Sequence, residues 1–394
     1  MELRLAERMT GLGTETAFEV LAKARELERV GKSIVHLEIG EPDFDTPEHI
    51  KEAAIRALHD GYTHYTPSAG LYEAREAVAE RVSATRGIPV DPAEVVMTPG
   101  SKPVMFFAIL ALVNPGDEVI YPSPGYPIYE SVARFVGGIP RPVVLREERG
   151  FRIDPDELRQ MVSPRTRLII LNSPHNPCGS VLTREDLAAI AAVAQRAGCF
   201  VLADEIYWRI TYDGIHHSII TVPGMKDRTI LLDGFSKAYA MTGWRLGFGV
   251  MPKELAARMG QLMVNSNSCA AAFTQIAGIA ALRGPQQPVE AMVAEFRRRR
   301  DVIVAGLNAI EGVTCTLPAG AFYAFPNVTR IDRDSRRLAD FLLADGGVAC
   351  LSGTAFGEHG LGYLRFSYAT SVENIREGLR RMQEALKRYR AAVS

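Results

Sequence analysis

Short apolar runs return along the middle of the chain: EVVMT at 94–98, EVIYP at 118–122, RPVVL at 141–145, RLIILN at 167–172, CFVLAD at 199–204, TILLDG at 229–234 and LGFGV at 246–250. Between them, apolar positions recur with helical spacing. That alternation predicts a mostly parallel sheet wrapped by helices, an α/β fold. One helix announces both ends, with Thr183 followed three residues on by Asp186 at its start and Gly198 at its stop. After Gly284-Pro285 the pattern changes to a long basic helix through FRRRR at 296–300. Short strands near 313–316, 322–326 and 363–368 follow, then an amphipathic last helix from Val372. This part reads as a smaller α+β unit. With Glu295 and Asp301 beside it, the FRRRR run predicts a solvated or interface face rather than a site for an acidic partner.

Composition narrows the class. The chain has 394 residues, 47% hydrophobic and 23% charged, with no repeat or low-complexity tract, which excludes a disordered or fibrous protein. A net charge of -1 offers no field to draw nucleic acid or an anionic membrane, so any anion must be held locally. Five cysteines without a C-x-x-C pair argue against a disulfide framework and a zinc site, and fit a reducing cytoplasm. His216-His217 lacks metal-ligand spacing. Glu2, Arg4, Glu7 and Arg8 stand where a signal peptide needs an apolar stretch, so no export is expected. The uncharged run 261–282 holds Asn265, Asn267, Thr274 and Gln275, too polar to span a membrane, and reads as a buried loop and helix.

Lysine is scarce in a chain whose basic charge is mostly arginine. Lys102 in TPGSKPVMFF and Lys237 in DGFSKAYAMTGWRLGFG stand among Gly, Ser and aromatics just after predicted strands. Ligand crevices of open α/β sheets lie at the carboxyl ends of strands, so both lysines are placed for function. A desolvated lysine loses its proton easily and becomes a nucleophile toward an aldehyde; the alternative for Lys237 is a snorkelling surface side chain. Gly100-Ser101-Lys102-Pro103 opens an apolar helix, and free backbone N–H groups at such a start form an anion site, with Pro103 harmless in the first turn.

The segments LNSPHNPCGS at 171–180, ADEIY at 203–207, FSKAYAMTGWRLG at 235–247 and LRFSYA at 364–369 resemble, in order and spacing, the class I pyridoxal-phosphate aminotransferases, the aspartate aminotransferase family. EIGEPDFDTP at 38–47, YTPSAG at 65–70 and SPGYPIY at 123–129 resemble it as well. The resemblance implies fold type I, with a mostly parallel seven-stranded sheet in a large domain over 46–285. It implies a small domain from 1–45 plus 286–394, and a homodimer with shared active sites.

It also implies the cofactor pyridoxal 5'-phosphate and a role for each matching residue. Lys237 would carry the cofactor and shuttle the proton. Asp204 would hold the ring nitrogen protonated, as an electron sink requires; it could alternatively cap the segment EIYWRI. Asn176 and Tyr207 would bond the phenolic oxygen, and Tyr126 would stack on the ring; alone, Asn176 is a turn residue and Tyr126 plain packing. Ser101, Ser236 and Arg245 would bind the phosphate, with Tyr65 arriving from the partner subunit unless it is only a loop tyrosine. Arg365, a costly arginine in an apolar strand, would grip the α-carboxylate of the substrate beside Gly40 and Asn176.

The expected activity is transfer of the amino group of an L-amino acid to a 2-oxo acid. A lyase or synthase on the same fold is the alternative. A transcription regulator would need a DNA-binding domain before Glu38, where only a short charge-balanced stretch stands. One branch of the family reads the distal carboxylate of aspartate and glutamate with an arginine in the segment matching 264–272. This chain has VNSNSCAAA there. Lys102 is the nearest alternative reader, or else only adds positive potential near the phosphate, and activity is expected with aspartate or glutamate and with aromatic or neutral amino acids.

Overall fold

A computed structural model describes residues 3–393. Twelve strands run through them: β1 (Val35–His36), β2 (Val95–Thr98), β3 (Glu118–Ser123), β4 (Ile139–Val144), β5 (Thr166–Asn172), β6 (Phe200–Asp204), β7 (Thr229–Gly234), β8 (Gly247–Val250), β9 (Tyr323–Ala324), β10 (Val348–Ala349), β11 (Leu351–Ser352) and β12 (Leu364–Ser367). Seven form the main sheet in the order β2-β8-β7-β6-β5-β3-β4, with only β8 antiparallel to its neighbours. The apolar runs that predict strands all fall in this sheet.

Successive residues of the central strands feed opposite layers, as the pleat requires. Ile169, Leu171, Val201 and Ala203 join the core under the helix Arg184–Ala197. Leu168, Ile170 and Leu202 join the one under the helices Lys102–Leu112 and Lys253–Ser266. The helix Arg184–Ala197 has the expected ends: Thr183 and Asp186 cap each other's backbone, and Gly198 stops it at φ 67. The remaining strands form a three-stranded sheet, β11-β12-β9, and the pair β1-β10. They share a core with the long helices Gln287–Asn308 and Val372–Val393 through Phe296, Leu307, Ile375 and Leu386.

Three expectations need correction. The strand near 313–316 shrinks to a single bridge from Thr314 to Asn327, because Asn308 takes both backbone groups of Cys315. The run 261–282 is not a buried loop and helix throughout. Its first part ends the helix Lys253–Ser266 with Val264 60% exposed, and only the helix Ala272–Arg283 is largely buried. In FRRRR, Arg299 and Arg300 are buried, not solvated. Arg299 donates to Asp43 (2.6 Å) and Glu295 (2.9 Å), and Arg300 to Asp213 (2.5 Å). Paired this way, they tie the EPDF loop and the turn at Asp213 to the long helix.

A second buried pair fixes the turn after β6. Arg86, at the end of the helix Tyr72–Arg86, donates twice to Glu205 (2.7 and 3.1 Å) and lies 4.0 Å over the Trp208 ring. Burial alone would raise the Glu205 pKa, but the Arg86 guanidinium, with His216 and Ser218, holds it down to about 2 against an ordinary 4.5. Its contribution to stability is therefore complete above about pH 4.5 and is lost as pH falls toward 2. Glu205→Ala, which leaves Arg86 buried and uncompensated, is expected to cost about 3–5 kcal/mol at pH 7, measured by chemical denaturation.

Candidate active site

Five strands deliver their carboxyl ends to one place. β2 ends before Gly100 and Ser101, β3 before Tyr126, β5 before Asn176, β6 at Asp204, and β7 before Ser236 and Lys237. A cavity of about 920 Å³ opens there, at the crevice where α/β sheets bind ligands. Every residue to which the resemblance assigns a role lines it except Tyr65, which is 87% exposed on the surface.

Lys237 reaches the cavity from the turn after β7, and its Nζ donates to the Gly40 carbonyl (2.6 Å). Burial takes its pKa down from 10.5 to about 8; Glu41 opposes the shift and Arg365 adds to it. Asp204 moves the other way. Burial raises it from 3.8 to about 6, against donation from the Tyr129 hydroxyl (2.6 Å) and the Ile206 backbone N–H (3.3 Å). Asn172, its neighbour across the β5–β6 ladder, donates from Nδ2 to the Asp204 carbonyl (3.1 Å) and accepts from the Asn176 N–H (2.8 Å), so Asp204 and Asn176 share one support. Tyr207 is buried with its hydroxyl 2.6 Å from that of Tyr323.

At the start of the helix Lys102–Leu112, Ser101 Oγ donates to the Asp233 carbonyl (2.9 Å). The Arg245 guanidinium lies over Gly100 so closely that a Cβ there would sit 2.1 Å from Nη2. Gly100 also has φ +80, so two requirements select glycine. The backbone N–H groups of this helix start and the Arg245 guanidinium meet there, and Ser236 lines the same cavity, an arrangement that can hold an anion.

Arg365 enters from β12 and is fully enclosed, with its guanidinium 4.5 Å over the Tyr323 ring and 5.0 Å from that of Phe356. Nη1 donates to Asn176 Oδ1 (3.2 Å) and Nη2 to the Glu38 carbonyl, while Nε has no partner. Among the described residues no carboxylate pairs with it, and burial lowers its pKa. A guanidinium enclosed in this way, on the wall of the cavity and without a carboxylate partner, can receive one. Gly40 sits beside it, and a Cβ there would meet the Tyr323 hydroxyl at 2.2 Å.

Lys102 is at the cavity mouth, 47% exposed, and paired with Glu15. Glu15, Tyr129, Tyr323 and Asn172 were not singled out from the sequence. Tyr129 stands in the SPGYPIY motif beside Tyr126, which was a usable signal. Tyr323 and Glu15 reach the cavity from distant segments, and no local pattern marks them.

The fold and the crevice define an α/β enzyme built around a buried lysine and an enclosed arginine. Residues 32–382 match the family described as aminotransferase class I and II. The chain is 41% identical over 360 residues to the aromatic-amino-acid aminotransferase 2 of Thermococcus litoralis, covering 90% of this chain and 92% of that one. It is 40% identical over 386 residues to the aspartate aminotransferase of Pyrococcus horikoshii, 97% of each. Its structure resembles that of the aspartate aminotransferase from Thermus thermophilus with maleate at a TM-score of 0.93 and 40% identity, covering 98% of this chain and all of that one. The chain belongs to the class I and II aminotransferase family, with the fold type I architecture, and is an aminotransferase.

Because the Tyr129 hydroxyl favours the charged form of Asp204, Tyr129→Phe should move the Asp204 pKa further above 6, read from the carboxyl infrared band with Asp204→Asn as the reference. Removing a buried bond to a charged acceptor should also cost about 1.5–3 kcal/mol in thermal or chemical unfolding at pH 8.

Proposed function

We propose that the crevice binds pyridoxal 5'-phosphate and moves the amino group of aspartate, glutamate or an aromatic amino acid to a 2-oxo acid. The observation that carries this reading is the coexistence in one cavity of a lysine brought to about 8, a carboxyl raised to about 6 and an arginine with no counter-ion. The residues fit the group. Gly100 and Arg245 leave a cradle for its phosphate, with Ser101, Ser236 and Lys102 beside it; Asp204 is a buried acid in need of a cation; Tyr126 offers a ring face. When bound, the cofactor supplies an aldehyde that takes up amino groups and a ring that draws electrons from the substrate Cα.

The chain's own groups would do the rest. Lys237, neutral in an appreciable fraction at physiological pH, holds the cofactor and then moves a proton on and off the substrate Cα as general base and acid. Asp204 would give the ring nitrogen a buried counter-charge, and a cation there would favour its ionised form. Tyr207 and Asn176, which line the cavity with hydrogen-bond donors, would hold the phenolic oxygen. Arg365, flanked by Asn176 and Gly40, fixes the α-carboxylate and so orients the Cα bond to be broken.

The domain division at 46–285 against 1–45 plus 286–394 belongs to the same reading, supported by the main sheet lying wholly within 95–250. So does a homodimer in which Tyr65 serves the partner's phosphate, supported by its exposure outside its own cavity. No helix among the described residues is long and apolar enough to cross a membrane.

Lys237→Ala is expected to lower kcat by about 10²–10⁴-fold or more in a coupled transaminase assay while the protein still binds the cofactor, followed by its absorbance. Wild-type turnover in that variant would sink the assignment. Arg365→Lys keeps the charge and loses the two-pronged fork, so kcat/KM for amino acids should fall by about one to two powers of ten. The role fails if the wild type transaminates amines lacking an α-carboxylate as well as amino acids.

A further inference from the structure

Glu15 is the residue before the N-terminal helix Thr16–Arg29, yet its side chain does not cap that helix. It turns into the cavity, where Oε1 accepts from the Tyr126 hydroxyl (2.8 Å) and from Lys102 Nζ. Its carboxylate is only 23% exposed, half as open as the lysine it holds. Anchors outside the cavity place it: the Gly13 N–H donates to Ser131 Oγ (2.8 Å) on the helix Ile128–Phe135, and Thr14 donates to Glu19 (3.1 Å). Its charge reaches deep, opposing the burial-driven lowering of both Lys237 and Arg365.

Arg365 is enclosed, whereas Lys102, 47% exposed, is one of the basic side chains on the cavity wall, which Arg25 and His36 also line, and it is the one Glu15 holds. Left free, it would draw the second carboxylate of a dicarboxylic amino acid. Held by Glu15, it offers no net charge. A second carboxylate arriving there must displace Glu15 from both Lys102 and Tyr126, or lie beside a like charge. An uncharged side chain meets neither obstacle, and Phe18 and Leu21 of the same N-terminal helix line the cavity with apolar surface.

We propose that Glu15 is a specificity-determining residue which, by occupying Lys102 and Tyr126 from within the chain, biases this aminotransferase toward aromatic and other uncharged amino acids over aspartate and glutamate. The inference rests on the aminotransferase reading above and adds to it that Lys102, placed there beside the phosphate, also borders the substrate side chain.

The test is the ratio of kcat/KM for aspartate to that for phenylalanine in the holoenzyme, with 2-oxoglutarate as acceptor. Glu15→Gln keeps the shape and removes the charge, and should raise this ratio about tenfold, the scale of one charge-assisted contact at a partly exposed site. The Kd of succinate, a dicarboxylate with no amino group to transfer, should fall by about the same factor relative to that of 3-phenylpropionate. In Glu15→Gln/Lys102→Ala both gains should disappear, because the released cation is gone. A ratio and a succinate Kd within about twofold of wild type in Glu15→Gln overturn the proposal, as does a gain that survives removal of Lys102. Lys102→Ala alone separates the two ways of failing. A loss confined to aspartate with no response in Glu15→Gln sinks the role of Glu15 only, whereas equal losses for aspartate and phenylalanine sink the placement of Lys102 beneath it.

Discussion

Taking charged groups out of water without pairing them is the constraint on which this site depends. Burial of an ion costs several kcal/mol unless a counter-ion or a proton change relieves it. In the crevice the relief is a proton change. Lys237 yields its proton more readily and Asp204 keeps its own longer, both because the protein wall replaces water. Arg365 cannot change its protonation state and is left with two carbonyl acceptors and a free Nε. The crevice is thus electrostatically incomplete in three places.

The contrast with other buried arginines shows that this incompleteness is local. Arg86 has Glu205, Arg299 has Asp43 and Glu295, and Arg300 has Asp213. Apart from Arg299 with Glu295, one turn apart on the same helix, these pairs join segments far apart in sequence, and two of them brace the crevice: Arg86 behind the turn that follows Asp204, and Arg299, through Asp43, behind the loop that carries Gly40. Fully paired charges hold the frame rigid around the unpaired ones, which is how a preorganised polar site avoids reorganising when its ligand arrives.

Much of this was legible along the chain because strands buried on both faces leave short apolar runs, and residues with chemistry stand immediately after them. Lys237 after TILLDG and Asp204 at the end of CFVLAD are readable in that way, and Arg365 is readable as a charge in an apolar strand. What escaped was of another kind. Arg299 and Arg300 look solvated in sequence because their partners Asp43 and Asp213 are distant, and periodicity carries no information about a fold-back of that length. Tyr323 lies in a strand of two residues, and the pairing of Thr314 with Asn327 is too short to leave an alternating pattern. Glu15 belongs to a charged terminal stretch in which no single carboxylate stands out.

Residues 3–30 have a consequence for how such an enzyme changes over generations. Of all of them only Ala24 is buried, so this stretch adds little to the core, yet Glu15, Phe18 and Leu21 furnish one wall of the cavity. Selection can therefore rewrite that wall with almost no toll on folding, while Lys237, Asp204 and Arg365 stay locked in the interior. That wall of the cavity is modular with respect to the buried interior, and a lineage carrying this architecture can vary it without first having to become more stable.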